Sequence, residues 1–256
     1  MNNVVVGGDF EGFVRLNGDW IPAERVLGGG KHSPITLGRG VVGHPDNVMA
    51  EFALQAPVPV NTFAERVKTA MSMLQEHIEP AEFVARSSVK FNRNWLDDSK
   101  MSKEVGCEPD FDSTGNMYQY GPDTLGLYRY AGFHIHFDVA GSMPPDYAVR
   151  VVDCTIGLAS IALGWDRQGM RRQFYGTAGR HRPKYYGVEY RTLSSNVLNH
   201  IDALQELLVP VCNALHTGNH PIVELPQIMW DPVRQAIDTE DVDLATTLWK
   251  EAQRYV

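Results

Sequence analysis

The chain has little of what a secreted or membrane protein needs. Its three cysteines, Cys107, Cys154 and Cys212, are odd in number and show no C-x-x-C spacing. They read as reduced thiols, not as a disulfide framework or a zinc site. No apolar run approaches the roughly 20 residues of a membrane-spanning helix. The start, Met-Asn-Asn-Val-Val-Val-Gly-Gly-Asp, lacks the basic opening and cleavage site of a secretory leader, so the expected location is the cytoplasm. Positive charge is also scarce: a net charge of −8 over 256 residues argues against general affinity for nucleic acid. No repeat, low-complexity segment or linker interrupts the chain, and a single domain over 1–256 is expected.

What is present is β-rich at first. Residues 4–6, 9–16 and 19–21 read as strands, the last two joined by Asn17-Gly18, a strong hairpin signal. A further strand is expected over 48–54. Asn61 is placed to cap a helix on which Phe63, Val67, Ala70, Leu74 and Ile78 keep the helical period, ending at Pro80. Strands are expected over 82–91, 130–139 and 186–193. Helices are expected over 144–165, over 197–215 with a kink at Pro210, and over 239–255. Residues 92–123 are polar and lack periodicity; a loop of that length is usually functional. Strands interleaved with longer helices imply an α+β fold, a largely antiparallel sheet with helices on one face.

The opposite face would carry an unusual set of side chains. Asp9/Glu11, His134/His136 and Glu189/Arg191 are each two residues apart in strand-like sequence, so each pair looks one way. Their neighbours Phe10, Phe13, Ile135, Phe137, Val188 and Tyr190 look the other way. A face of carboxylates, imidazoles and a guanidinium cannot be a hydrophobic core, because burying those charges unpaired costs several kcal/mol or more each. Asp9 and Glu11 offer oxygen ligands to a hard cation such as Mg²⁺, although an exposed edge strand would also tolerate them. Glu51 is a lone charge in the apolar stretch Val-Met-Ala-Glu-Phe-Ala-Leu, a position usually paired or functional. The H-x-H pair suits a metal but also occurs as a structural pair, and no cysteine lies near in sequence to complete a zinc site.

A basic island stands out against the acidic background. Arg167, Arg171, Arg172, Arg180, Arg182, Lys184 and Arg191 are opposed within 167–191 only by Glu189. A salt-bridged surface would explain it; so would a localised anion site. Guanidinium groups on a glycine-containing loop suit polyphosphate, because the planar fork binds two oxygens at once. Gly-Gly-Gly-Lys-His at 28–32 fails the P-loop pattern, with Arg25 where the first glycine belongs and His32 where Ser or Thr should be. Lys31 remains a candidate phosphate contact from a flexible loop.

Taken together these motifs resemble the carboxylate–amine ligases of the glutamine synthetase-like and glutamate–cysteine ligase-like superfamily, and most closely the phage-type COOH–NH2 ligase (amidoligase) branch. The resemblance rests on Gly-Gly-Asp-Phe-Glu, Gly-Gly-Lys-His-Ser-Pro, Asp-Asn-Val-Met-Ala-Glu, Gly-Cys-Glu-Pro-Asp, Ala-Gly-Phe-His-Ile-His and Tyr-Gly-Val-Glu-Tyr-Arg-Thr-Leu-Ser, in that order. It implies a curved, largely antiparallel sheet like the glutamine synthetase catalytic domain, helices on its convex face, and ATP with Mg²⁺ (or Mn²⁺) on its concave face. By position it implies Asp9, Glu11, Glu51, His134 and Glu189 as metal ligands, and His136 near the ATP phosphates. Arg191 would contact the transferred phosphoryl group, helped by Arg172, Arg180 and Arg182. Arg180, Arg182 and Arg191 form the expected catalytic set, and His136, Arg172, Lys31 and Lys184 the expected nucleotide-facing set. Two departures are visible: Asp9 stands where glutamine synthetases carry Glu, and Ser195 where Asn is expected in this branch.

The implied reaction is ATP-dependent amide formation through an acyl phosphate, with ADP as product. The 92–123 loop, including 106–110, would shield the intermediate from water. A guanidino-kinase-like phosphotransferase on the same architecture, a metal-dependent hydrolase using the His and acid cluster, and a non-catalytic nucleotide-binding protein are the alternatives. Partners would be small-molecule or peptide carboxylates and amines, with no membrane and no general nucleic-acid binding. A phage-encoded enzyme would act in the host cytoplasm, and relatives range from small homo-oligomers to rings.

Overall fold

The computed structural model describes residues 4–103, 109–139 and 141–256. Cys107 and most of the 106–110 motif lie outside them. Cys154 and Cys212 are buried free thiols, as expected. No helix among the described residues is long and apolar enough to cross a membrane.

The architecture is α+β, built on a large open antiparallel sheet. Its strands are β1 (Val5–Leu16), β2 (Ile35–Gly38), β3 (Val41–Asp46), β4 (Met49–Leu54), β5 (Asp110–Phe111), β6 (Met117–Tyr118), β7 (Phe133–Asp138), β8 (His181–Lys184) and β9 (Gly187–Tyr190). Across the sheet they run β6-β5-β8-β9-β7-β1-β4-β3-β2, and short strands Asp19–Ile21, Val58–Pro59 and Glu82–Val84 also pair with β1. β1 is therefore the hub, with β7 on one side and β4 on the other. The expected hairpin forms at Asn17-Gly18, both residues with positive φ (51° and 89°), the geometry that matches strand twist.

Alternation along the central strands separates two faces. Phe10, Phe52, Phe133, Ile135, Phe137, Val188 and Tyr190 belong to one buried apolar cluster. Helices α1 (Phe63–Ile78), α3 (Pro145–Val152), α4 (Leu158–Ala162), α5 (Ile201–Thr217), α6 (Leu225–Thr239) and α7 (Val242–Ala252) contribute their apolar sides to it. A shorter helix, α2 (Arg93–Asp98), packs with a second cluster formed by Phe13, Val89, Phe91 and Leu96. The other face is left to the polar pairs.

Several local expectations are corrected. Asn61 does not cap α1; it lies in the 3-10 turn Val60–Thr62, and the helix starts at Phe63 without a side-chain cap. The strand expected over 82–91 is two short strands in different sheets: Glu82–Val84 joins β1, and Ser88–Lys90 pairs with Tyr128–Tyr130. The helix over 144–165 contains a π turn at Asp153–Gly157 between α3 and α4, placing Asp153 under Tyr190, whose hydroxyl donates to it at 2.5 Å. Residues 195–200 form a 3-10 turn ahead of α5, which holds Pro210 in its interior. Helix α6 was not anticipated, because Pro226 and Pro232 break the pattern that would have revealed it. The last helix starts after Glu240 in a left-handed conformation, with Asp241 accepting from the Leu244 N–H.

Candidate active site

Strand register brings the polar pairs together in rungs across the sheet. On β1, Asp9 lies opposite His134 of β7, and Glu11 lies opposite Glu51 of β4. Glu51 in turn faces His44 of β3. On the other flank Glu189 of β9 lies between His136 and Arg182 of β8. Arg191 follows β9, and its N–H bonds to the Arg180 carbonyl at 2.9 Å, extending that ladder.

Two groups of metal-capable donors result among the described residues. Asp9, His136 and Glu189 form one, and Glu11, Asp46 and Glu51 the other, with the ligand atoms of each within 4.8 Å of one another. The first mixes one imidazole with two carboxylates; the second is all oxygen, the donor set of a hard divalent cation. Asp46 escaped the sequence reading. It stands two residues from His44 on β3, the same spacing that exposed the other pairs, but Pro45 and the Asp-Asn turn hid the strand.

The electrostatics of the groups differ. Glu189 is surrounded by Arg191, Lys184 (2.7 Å) and Arg182 (3.1 Å). Burial alone would raise its carboxyl; Arg191, with further help from His134 and Arg182, outweighs burial and the repulsion of Asp9 and holds it down at about 2. Asp9 is half-buried, and burial would raise its carboxyl, yet His134 (2.5 Å) and His136 (3.1 Å) hold it well below the usual carboxylate range. In the second group burial comes first and like charges add to it. Asp46 rises to about 7 through burial and Glu11, offset in part by Lys31 and Arg191. Glu51 is pushed well above its ordinary value by burial and by Asp9, Asp46 and Glu11. Like charges directly opposite on neighbouring strands destabilise a sheet, so a divalent cation is the natural counter-charge. Both donor sets fit one.

Supporting contacts fix the ligands. Glu11 accepts the Gly132 N–H at 2.6 Å, and the His134 imidazole lies over Gly132, where any Cβ would collide with its Nε2. Only glycine permits that approach. His136 Nδ1 lies 3.1 Å from the Tyr186 hydroxyl. His134 itself falls in neither donor group; it bonds Asp9, and its Nδ1 is 3.4 Å from Arg191 Nη1.

The basic residues divide. Arg182, Lys184 and Arg191 lie on the face at Glu189. Arg180 is almost wholly buried, bonds Asp110 through Nε (3.1 Å) and Nη2 (2.7 Å), and has the Tyr118 ring 4.0 Å from its guanidinium carbon. Asp110 also stands 3.6 Å from Arg191, and the Pro109 carbonyl 3.5 Å from Arg182 Nε. The described end of the 106–110 motif thus touches the face arginines. Arg172 is held by Glu240 and the Gly176 carbonyl, not by the acids of the face. Its neighbour Arg171, named in the basic island but given no role there, is lowered to about 10 by burial; Asp166 and Glu11 oppose that shift, and Arg172 and Arg191 add to it. Lys31 is exposed, and its charge acts on His44, Asp46 and Glu51.

Among the described residues, one face of the open antiparallel sheet thus carries two acidic donor groups and a cluster of cations. Residues 118–225 match the family model described as "Phage phiEco32-like COOH.NH2 ligase-type 2", which bears out the amidoligase resemblance and supports a carboxylate–amine ligase. The matched segment holds His134, His136, Glu189 and the arginines. Strands β1, β3 and β4, with Asp9, Glu11, Asp46 and Glu51, precede it and join it through the sheet. No curated protein matches the chain.

Proposed function

We propose that the chain is an ATP- and Mg²⁺-dependent carboxylate–amine ligase, forming an amide through an acyl phosphate and releasing ADP and phosphate. The observation that carries this reading is the placement of two cation-ready donor groups beside Arg182, Lys184 and Arg191 on one sheet face. Asp9, His136 and Glu189 would hold one divalent ion, and Glu11, Asp46 and Glu51 another. Mg²⁺, when bound, supplies charge neutralisation and polarisation of phosphate oxygens.

The remaining work falls to the chain's own residues. A carboxylate is a poor electrophile, so its oxygen first attacks the γ-phosphorus of ATP and the bond to the β-phosphate oxygen breaks, leaving ADP. The amine nitrogen then attacks the carbonyl carbon, phosphate leaves, and the nitrogen loses a proton. Phosphoryl transfer is mainly positioning and electrostatics. Arg191, steered by Glu189 and Asp110, presents a planar fork to the transferred group, and Arg182 and Lys184 bind the adjoining phosphates. His134 fixes the Asp9 carboxylate through its 2.5 Å contact, and Gly132 fixes Glu11.

The test is a mass-spectrometric screen of carboxylate and amine mixtures with Mg·ATP. The reading predicts a product lighter by one water than a substrate pair, with one ADP formed per product. A phosphorylated substrate accumulating without amide would replace it with a phosphotransferase. Turnover without ATP would replace it with a hydrolase.

A further inference from the structure

A cavity of about 400 Å³, with no residue of the charged sheet face among its described lining, is walled by Arg93, Leu96, Asp97, Lys103, Leu127 and Arg129. Its inner wall is Arg129, only 4% exposed. The guanidinium donates to Asn47 Oδ1 (3.0 Å) and to the carbonyls of Gly126 (2.9 Å), Tyr128 (2.8 Å) and Ser102 (3.3 Å). These bonds use four of its five N–H groups, and every acceptor is neutral. Among the described residues no carboxylate pairs with it. Burial pulls this arginine below its ordinary value.

A buried cation with hydrogen bonds but no counter-charge is costly, since desolvation is not offset by an opposite charge. The contrast with Arg180 makes the point: equally buried, it has Asp110. The outer wall adds to the imbalance. Arg93 and Lys103 are both exposed at the mouth and make no ion pair among the described residues, and Lys103 Nζ donates to the Asp97 carbonyl at 2.9 Å. Of the described lining residues three are cationic and one, Asp97, is anionic. Such a field in a chain of net charge −8 concentrates anions locally. Leu96 and Leu127 supply an apolar wall for the body of a small molecule. Asn47 ties Arg129 to the β3–β4 turn, next to Asp46.

We infer that this cavity is a binding site for a small molecule bearing a phosphate or carboxylate oxyanion, seated between Arg129, Arg93 and Lys103 and separate from the sheet-face site. The assignment does not depend on the ligase reading.

The test is calorimetry without Mg²⁺, titrating inorganic phosphate in one arm and succinate in the other. Because Arg129 cross-links three segments and its loss could unfold the region, the informative variant is Arg93→Gln/Lys103→Gln at the exposed mouth. Saturable binding is expected in at least one arm, and the arm that saturates identifies the oxyanion. The mouth variant should weaken it about tenfold or more, as loss of charge-assisted contacts does. Arg182→Ala/Lys184→Ala on the sheet face should leave it unchanged. Absence of saturable binding in both arms would overturn the site. So would binding that survives the mouth variant but is lost in the sheet-face variant.

Discussion

The two faces of the central sheet are made by the same strands and obey opposite rules. On one, Phe10, Phe52, Phe133, Phe137 and Tyr190 close against the helices, and the Phe10 ring packs at a tilt against Phe52 and Phe133 at centroid distances of 5.2 and 4.8 Å. On the other, the residues in between, Asp9, Glu11, Glu51, His134, His136 and Glu189, carry polar groups that no apolar packing compensates. Stability is stored on the first face, and the proposed chemistry belongs to the second. A substitution on either should therefore show its effect in a different measurement.

The largest expected effect on stability is at the packed face. Phe133→Ala should cost about 3–5 kcal/mol, the usual loss for a buried phenyl ring, read as a drop in the chemical-denaturation midpoint. A loss below about 1 kcal/mol would mean that this face is not the core. The counterpart on the charged face is Glu189→Gln. It removes a donor and the partner of three cations, so Mg·ATP-dependent turnover should fall by about 10²-fold or more while circular dichroism keeps the native signature. Unchanged turnover would remove the face from the mechanism.

Asp153 offers a smaller effect, with a defined pH signature. Burial raises it to about 7 from 3.8, against hydrogen bonds from Tyr190 and the Gly179 N–H that pull it down. The folded state therefore holds this proton more tightly than the unfolded chain. Its stabilising contribution is complete below about 3.8 and is lost as the pH rises toward about 7. Asp153→Asn should flatten that decline, so wild type should lose stability relative to the variant between those limits, by a few kcal/mol at most at about 1.4 kcal/mol per pKa unit. Parallel curves would refute it. The smallest effect is expected from Arg182→Ala, whose side chain is one of three cations on Glu189: a KM for ATP raised about tenfold with kcat nearly kept. A wild-type KM would take Arg182 off the phosphate path.

How far the sequence revealed this architecture depended on regularity. Period-two alternation in β1, β7 and β9 exposed Asp9/Glu11, His134/His136 and Glu189/Arg191, because strand geometry leaves no other option for side-chain direction. Asn17-Gly18 marked its hairpin for the same reason. Where the backbone is irregular, direction could not be read. Arg171 and Arg172 sit in a 3-10 turn, so which of them senses Glu11 depends on tertiary packing. Asp46 was hidden by a proline, and α6 by two. The break between Glu82–Val84 and Ser88–Lys90 has no local signal, since both halves favour extended chain. The pairing of Glu11 with Glu51 required the register of β1 against β4, which one chain read alone does not disclose.

The central claim, that the charged face takes two divalent cations, can be counted. Mn²⁺ titration followed by electron paramagnetic resonance, with a non-hydrolysable ATP analogue present, should give two bound ions per chain. Glu51→Gln and Glu189→Gln should each leave one, from opposite donor groups. No bound Mn²⁺, or two ions retained in both variants, would contradict the account.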